Sequence, residues 1–189
     1  MEEGSNVLSK VRVIPAGSAD VERVNYIFEK TIPDTFEKEG IAHLEEDLSG
    51  EIELKKKLLQ RALQSDAADT LFLAAMQDDV VVGTISYSPC GEDIKVCTEH
   101  ALDHVGELGS LYVLPSYQGQ GIGSALIKAL LTLLNEQGVE QFCLDSGYKR
   151  AQQKWLRKFG KPYAVVEDYW GPGSVHMVWL CQVNDFIDK

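Results

Sequence analysis

The chain has 189 residues, of which 44% are hydrophobic and 25% are charged, and its formal net charge is -11. This length and composition suit one globular domain, residues 1–189, and the acidic charge argues against nucleic acid as a partner. No apolar run approaches the roughly 20 residues that span a bilayer, so we expect no membrane association. Residues 1–6 are acidic and polar, unlike a secretory signal, so we expect a cytoplasmic protein.

Hydrophobic periodicity and turn residues predict the elements in chain order. The predicted strands cover residues 11–14, 70–76, 80–87, 108–114, 141–145, 164–167 and 175–182, with a weak strand at 94–97 inside a longer loop. The predicted helices cover residues 19–30, 52–63, 124–136 and 149–158, the first of them broken at residues 31–34. This order implies a mixed sheet with helices packed on it and a strand–helix–strand crossover in its second half.

Three glycines alternate immediately before the strongest predicted helix, in the segment Gln118-Gly119-Gln120-Gly121-Ile122-Gly123-Ser124. Glycine lets the backbone turn tightly and approach a ligand, and a helix N-terminus offers unpaired N–H donors and a positive dipole end. We therefore expect a phosphate site here. Two common phosphate motifs do not fit, because Ser124 stands where G-x-G-x-x-G needs its third glycine and no lysine follows as in a P-loop.

The pattern that does fit is Gln/Arg-x-x-Gly-x-Gly/Ala, here Gln118-x-x-Gly121-x-Gly123. Together with the preceding strand and Pro115, and with the leucine-rich helix that follows, it resembles the cofactor motif of the GNAT superfamily of acetyl-CoA-dependent N-acetyltransferases. The resemblance covers about residues 80–160. It implies an α/β (α+β) GNAT-like fold with a mixed, mostly antiparallel central sheet flanked by helices. It further implies transfer of an acetyl group from acetyl-CoA, without a metal, to a primary amine of a small molecule or protein.

The resemblance also implies which residues contact the cofactor. The strand before the loop splays from its parallel neighbour in this family, and the pantetheine arm bonds to the strand's backbone, here Leu111-Tyr112-Val113. The Leu111 N–H would then polarise the thioester carbonyl. We expect the bulge that opens the sheet at Gly109. The pyrophosphate would lie on the backbone amides of the loop, which are those of Gln118, Gly119, Gln120, Gly121, Ile122, Gly123 and Ser124.

Amine acylation needs a proton acceptor, because a free alkylamine has a pKa near 10. Glu107 opens the strand before the loop, where several family members carry a general-base glutamate; the alternative is a solvated carboxylate. Strand alternation would place it on one face with the cofactor contacts unless a bulge intervenes. The family's tyrosine that protonates the leaving thiolate is replaced by Leu156. Tyr148, Tyr163 and Tyr169 are substitutes in sequence, and we take Tyr163 as the candidate acid.

Other signals are weaker. Cys97, Glu99, His100, Asp103 and His104 form a polar cluster, but the glutamate of a His-Glu-x-x-His zinc motif is absent and we expect no metal. The four cysteines have no CxxC pair and are expected to be reduced thiols. His176 and Trp170 lie in the closing strands, where similar enzymes often form acceptor pockets, and a structural histidine is the favoured interpretation of His176. The early helical region caps the cofactor cleft in the family. Its residues Phe36, Glu37 and Glu39 are therefore candidates to line the acceptor site, and the alternative is a solvated acidic segment.

Two functions remain open at this stage. One is an N-acetyltransferase, and the other is a GNAT-like domain that senses acetyl-CoA without catalysis, which the missing tyrosine would allow. The cofactor loop does not separate them, whereas acid–base residues do. The acceptor and the oligomeric state, a homodimer included, are not determined by the sequence.

Overall fold

The computed structural model describes residues 11–64 and 69–187, so the interpretation of residues 1–6 lies outside the described residues. Seven strands form one sheet in the order β1-β2-β3-β4-β5-β7-β6. They are β1 (Arg12–Pro15), β2 (Leu71–Gln77), β3 (Val80–Pro89), β4 (Gly106–Val113), β5 (Gln141–Ser146), β6 (Ala164–Glu167) and β7 (Val175–Gln182). All neighbours pair antiparallel except β4 and β5, which are parallel. The mixed, mostly antiparallel sheet and its crossover are thus confirmed.

Within the described residues, five α-helices cover the two faces of this sheet. They are α1 (Val21–Glu39), α2 (Glu45–Ala62), α3 (Glu92–Cys97), α4 (Ile122–Glu136) and α5 (Lys149–Phe159). Helices α4 and α5 pack on one face, where Leu126 and Leu130 meet Phe142 and Trp179 in the largest apolar cluster. We call the other face the acceptor face. Helices α1 and α2 cover its β1–β4 half, and α3 covers its β5–β7 half.

The first helix continues where a break was predicted, because α1 runs through Pro33 to Glu39. The buried residues Phe28, Ile32 and Phe36 extend one apolar stripe across the proline. Packing of this stripe on the sheet offsets the hydrogen bond that Pro33 cannot donate. The second helix also begins earlier than predicted, at Glu45, and its first turn carries three carboxylates that suit the positive end of a helix.

The weak strand predicted at residues 94–97 is wrong, because this segment is helix α3. Gly91 precedes the helix in an extended conformation, and Glu92 and Asp93 occupy its first turn. Ile94 is fully buried in an apolar cluster with Cys143 of β5 and Val178 of β7. A single turn that buries one apolar side chain has the same short pattern as a strand, so periodicity alone could not separate the two.

Candidate active site

Strands β4 and β5 pair at one registered position, Glu107 with Cys143, and separate beyond it. We call the resulting opening the fork. Leu114 N–H bonds to β3 at Val82 O, so alternation turns the backbones of Leu111 and Val113 away from β3 and toward the fork. The splayed geometry expected from the sequence is therefore present, with backbone groups of Leu111 and Val113 at its edge.

The bulge that bends β4 lies one residue beyond the predicted Gly109. Ser86 of β3 pairs with Gly109 and Thr84 pairs with Tyr112, so Ser110 and Leu111 together lie opposite a single residue of β3. Ser110 has φ 46°, in the left-handed region. The extra residue changes the side-chain alternation. Glu107 and Gly109 therefore do not share a face with Leu111 and Val113, whose side chains pack toward α4.

The glycine loop presents a row of unused backbone donors at the N-terminus of α4. Gly119 and Gly121 have φ 78° and 82°, and a Cβ atom at either position would meet nothing within 4 Å. Among the described residues, no backbone acceptor pairs with the amides from Gly119 to Ser124, and Ala125 makes the first helical bond, to Gly121 O. Exposed, convergent N–H groups at the positive end of a 15-residue helix suit the oxygens of a pyrophosphate.

Gln118 joins this loop to β4 and to α1. Its Nε2 donates to Val113 O at 3.0 Å, and its Oε1 accepts from Lys38 Nζ at 3.2 Å. Lys38 also donates to Asp34 at 2.6 Å. The glutamine of the motif therefore binds the fork-facing carbonyl of the last residue of β4. Lys38 places a positive charge beside the loop.

Glu107 lies on the acceptor face, between α2 and α3, and its Oε2 accepts a hydrogen bond from Gly91 N–H at 2.7 Å. Burial raises the pKa of its carboxyl from 4.5 to about 7, and repulsion from Asp145 adds to the rise. Lys55 of α2 and the Gly91 N–H act in the opposite direction, and Asp93 of α3 raises the pKa further. Such a carboxyl can exchange a proton near neutral pH, which the interpretation of Glu107 as a base requires.

Asp145 lies beside Glu107 on the acceptor face and is held by His176. Its Oδ2 is 2.9 Å from His176 Nε2, and His176 Nδ1 is 3.0 Å from Trp170 Nε1. Indole nitrogen only donates, so Nδ1 accepts and Nε2 carries the proton that is donated to Asp145. This assigns a neutral imidazole with a defined tautomer. The nearby Tyr169 hydroxyl donates to Asp93 at 2.8 Å and thereby joins the β6–β7 connection to α3.

A further carboxylate, that of Glu51 in α2, accepts hydrogen bonds from two phenol hydroxyls. Tyr112 of β4 donates to Oε1 at 2.7 Å, and Tyr148, which precedes α5, donates to Oε2 at 2.5 Å. Burial, followed by the charge of Glu51, raises the pKa of both phenols above the usual value. Both therefore stay protonated, and the arrangement ties α2 to the strands on either side of the fork.

The Acetyltransferase (GNAT) family model matches residues 32–160 of the sequence, more than half of the chain. The chain belongs to this family. No curated protein is significantly similar to it in sequence. The sheet with its fork and the loop before α4 are thus parts of a GNAT domain.

Solved GNAT structures share the fold at low sequence identity. The PaiA N-acetyltransferase from Thermoplasma acidophilum, in complex with coenzyme A, is 20% identical over 90% of this chain and 98% of its own, with a TM-score of 0.64. The ribosomal-protein-S18-alanine N-acetyltransferase from Escherichia coli is 14% identical over 92% and 94%, with a TM-score of 0.59. YncA from Salmonella typhimurium, solved with acetyl-CoA, is 15% identical over 92% and 94%, with a TM-score of 0.60.

Tyr163 lies apart from the fork of this GNAT fold. It precedes the edge strand β6, which β7 separates from β5, and it is 52% exposed. Its backbone N–H donates to Val178 O at 2.7 Å. Proximity in sequence was the reason for choosing it as an acid, and the sheet order does not bring it to the reacting strands. Leu156, at the family's tyrosine position, is a 41% exposed residue of α5.

The early helical region contacts the start of α5. Glu39 accepts hydrogen bonds from the backbone N–H groups of Lys149 and Arg150, both at 3.0 Å, and so satisfies the first donors of α5. Phe36 is buried, with its ring 6.0 Å from that of Tyr148. Glu37 is exposed. Phe36 and Glu39 therefore support the contact between α1 and the start of α5.

Sequence reasoning missed Asp145, Glu51 and Lys55. Asp145 had a usable signal, because it closes the strand after the crossover helix, and ligands gather at the carboxyl ends of parallel strands. Glu51 had none, since its partners Tyr112 and Tyr148 are 61 and 97 residues away in the chain. His176 holds Asp145, and Trp170 in turn donates to His176.

The polar cluster around α3 shows no metal geometry in the part of the chain that the structure describes. There, no three His, Cys, Asp or Glu side chains are placed to hold an ion. His100 Nδ1 instead lies 3.0 Å from Asp103. Cys143 and Cys181 are buried. None of the helices within residues 11–64 and 69–187 is long and apolar enough to span a membrane.

Proposed function

We propose that this GNAT protein is an N-acetyltransferase that moves the acetyl group of acetyl-CoA to a primary amine of a small molecule or protein. The observation that carries the proposal is Glu107, a carboxyl at the fork whose pKa is raised to about 7. A domain that only senses acetyl-CoA needs the loop amides but has no use for such a base. Acetyl-CoA supplies an activated thioester when its pyrophosphate lies on the amides from Gly119 to Ser124.

The residues at the fork suit the chemistry of acyl transfer. The neutral amine attacks the thioester carbon, the new C–N bond forms, the C–S bond breaks and the pair of electrons leaves on sulfur. Glu107 takes the proton that the amine nitrogen loses. The Leu111 N–H, which faces the fork, is the donor placed to stabilise negative charge on the carbonyl oxygen.

The leaving thiolate does not need an acid from the protein in this proposal. An alkyl thiol has a pKa of about 8.5, so its anion is a fair leaving group and takes a proton from water. Tyr148 follows the end of β5 by two residues, but its hydroxyl donates to Glu51. The replacement of the family's tyrosine by Leu156 is therefore compatible with turnover.

The charge around the fork supports a cationic acceptor. Asp145 and Asp93 both act electrostatically on Glu107, and the chain as a whole carries a net charge of -11. Such a field attracts an ammonium ion and repels nucleic acid. We also assign a cytoplasmic location as part of the proposal, which the four free cysteines support.

A thiol-release assay with a panel of amines tests the proposal. The panel contains monoamines, diamines, lysine peptides and peptides with free N-termini, each with acetyl-CoA, and mass spectrometry detects the acetylated product. We expect at least one amine to accelerate thiol release and to acquire an acetyl group. Calorimetry measures acetyl-CoA binding in parallel. Binding without acceleration by any amine would favour the sensing domain.

A further inference from the structure

A chain of hydrogen bonds runs from the indole of Trp170 through His176 to Asp145 at the fork. Trp170 Nε1 donates to His176 Nδ1 at 3.0 Å, and His176 Nε2 donates to Asp145 Oδ2 at 2.9 Å. Asp145 follows Cys143 by two residues on β5, so both side chains lie on one face of the sheet, where Cys143 is the registered partner of Glu107. The hydrogen bonds therefore end on the carboxylate that repels Glu107.

The turn between β6 and β7 and the backbone of Gly147 fix the position of this indole. Trp170 N–H donates to Ser174 Oγ at 2.8 Å, and the Trp170 ring packs edge-on against Tyr169 with centroids 4.9 Å apart. A Cβ atom at Gly147 would lie 2.8 Å from Trp170 Nε1 and 3.2 Å from His176 Nδ1. Glycine at position 147 therefore leaves the room that the bond between the two rings needs.

The bond from Trp170 determines the charge of His176. An indole N–H only donates, so protonation of His176 Nδ1 would set two N–H donors against each other. His176 is only 3% exposed, so solvent offers its ring little alternative partner. A histidine beside a carboxylate ordinarily gains a proton more readily, and Trp170 opposes that gain.

We propose that Trp170 is a positioning residue for the base: its indole N–H keeps His176 neutral, and neutral His176 holds Asp145 as an anion beside Glu107. The inference rests on the proposed acetyl transfer for its effect on the rate. A protonated His176 would cancel the charge of Asp145. The repulsion that helps Glu107 to hold a proton near neutral pH would then be lost.

The titratable groups around His176 come from β5, the β6–β7 turn and α3, and they are Asp145, Tyr169, Asp93 and Cys97. Burial, followed by the hydrogen bond to Asp93, raises the pKa of Tyr169, and burial also raises the pKa of the Cys97 thiol. Both groups are therefore neutral at pH 7. The neighbours from β6 and α5, Val166 and Gln152, carry no charge. The charges among these groups are thus two anions, and both would favour a protonated imidazole without Trp170.

Trp170→Phe tests the proposal, because a phenyl ring cannot donate to Nδ1. His176 should then gain a proton beside Asp145 at a pH above its ordinary pKa of about 6.5. With the charge of Asp145 cancelled, Glu107 should titrate lower than in the wild type, by roughly 0.5–1 pH unit. With an acceptor amine of low pKa, the ratio of the rate at pH 6 to the rate at pH 8 should therefore rise roughly 2- to 5-fold. A purely structural loss would lower both rates and leave this ratio unchanged.

NMR measures both steps without any acceptor. Nitrogen shifts of the His176 ring report its tautomer and charge, and the carboxyl carbon of Glu107 reports its titration. In the wild type we expect the Nε2–H tautomer without ring protonation from pH 8 to about 6, and in Trp170→Phe we expect protonation within that range. A wild-type His176 that is charged at pH 7, or unchanged titrations of His176 and Glu107 in Trp170→Phe, overturns the inference whether or not the protein acetylates an amine.

His176→Gln supplies the matched background. Its amide can donate to Asp145 but does not gain a proton, so adding Trp170→Phe should not move the titration of Glu107. A shift in this double variant would overturn the inference, because Trp170 would then act by another route. Trp155→Phe removes an indole N–H from α5, where the ring packs on the other face of the sheet, and should shift neither titration.

Gly147→Ala is the second variant if Trp170→Phe does not fold. Its methyl group would displace the indole from His176, and the indole is 60% exposed and can move outward. It should reproduce the titrations expected for Trp170→Phe, and wild-type titrations in a folded Gly147→Ala protein count against the inference. A wild-type protein that acetylates no amine overturns the proposed function, and the NMR titrations then decide this inference by themselves.

Discussion

The backbone N–H of Gly91 donates to Oε2 of Glu107 at 2.7 Å, so the residue that precedes α3 holds the carboxylate at the fork. The same carboxylate lies next to Asp145 of β5 and is influenced by Lys55 of α2. Three separate parts of the chain thus set both the orientation of Glu107 and the pH at which it accepts a proton. The predictions on Glu107 below follow from this arrangement.

Glu107→Gln should lower kcat by roughly 10²–10⁴-fold at neutral pH, the usual range for a lost proton-transfer group. Affinity for acetyl-CoA should stay unchanged, because the substitution lies away from the loop amides. Steady-state kinetics and calorimetry measure the two quantities. Glu167→Gln, an exposed carboxylate on edge strand β6, is the control. A near-normal rate for Glu107→Gln at pH 7 would show that another group takes the proton.

Substitution of two neighbours of Glu107 should move the acid limb of the pH–rate profile in opposite directions. Repulsion from Asp145 raises the pKa of Glu107, so Asp145→Asn should shift the limb from about 7 to lower pH. Lys55 lowers this pKa, so Lys55→Gln should shift the limb to higher pH. The profile is measured with an acceptor amine of low pKa, so that the amine's own titration does not interfere. Shifts in the same direction for both variants would contradict this electrostatic account.

The sequence predicted the cofactor half of the site because that half is local. The loop from Gln118 to Ser124 and helix α4 are contiguous, and their function depends on glycine conformation and on a helix N-terminus. The strand–helix–strand crossover around α4 was predicted from the same segment. Each of these features can be inferred within one short window of the chain, so tertiary context was not needed.

The acceptor half could not be predicted because it consists of long-range contacts. Tyr148 meets Glu51 across 97 positions, and Ser86 meets Gly109 only through the register of β3 and β4. The bulge was placed one residue early, since Ser110 adopts a positive φ that residue type alone does not indicate. Tyr163 precedes edge strand β6, apart from the fork, and nearness in sequence does not indicate the order of β5, β7 and β6.

Glu107 should also make stability depend on pH. Its pKa is about 7 in the folded protein and 4.5 in its ordinary state, so the folded state binds more protons between these values. The free energy of unfolding should therefore fall as pH rises from about 4.5 to 7. Glu107→Gln removes this dependence. It should be more stable than wild type at pH 8, by an amount on the order of 1–3 kcal/mol, and equally stable below pH 4.5.

Urea unfolding at pH 4, 6 and 8 measures this difference, with Glu167→Gln again as the control. The control should follow wild type at every pH, because its carboxylate is exposed on the edge strand. A Glu107→Gln protein that is less stable than wild type at pH 8 would mean that ionised Glu107 gains more from Gly91 and Lys55 than burial costs it.

Two glycines at opposite ends of α4 separate cofactor binding from backbone strain. Gly121 precedes the helix with φ 82°, and Gly138 follows it with φ 75°, and a Cβ atom at either would meet nothing within 4 Å. Gly121→Val and Gly138→Val should therefore cost similar stability, since both force a branched residue into the left-handed region. Only Gly121→Val should weaken acetyl-CoA binding, because its side chain stands among the loop amides. Calorimetry on both folded variants decides this, and equal affinities would place the pyrophosphate elsewhere.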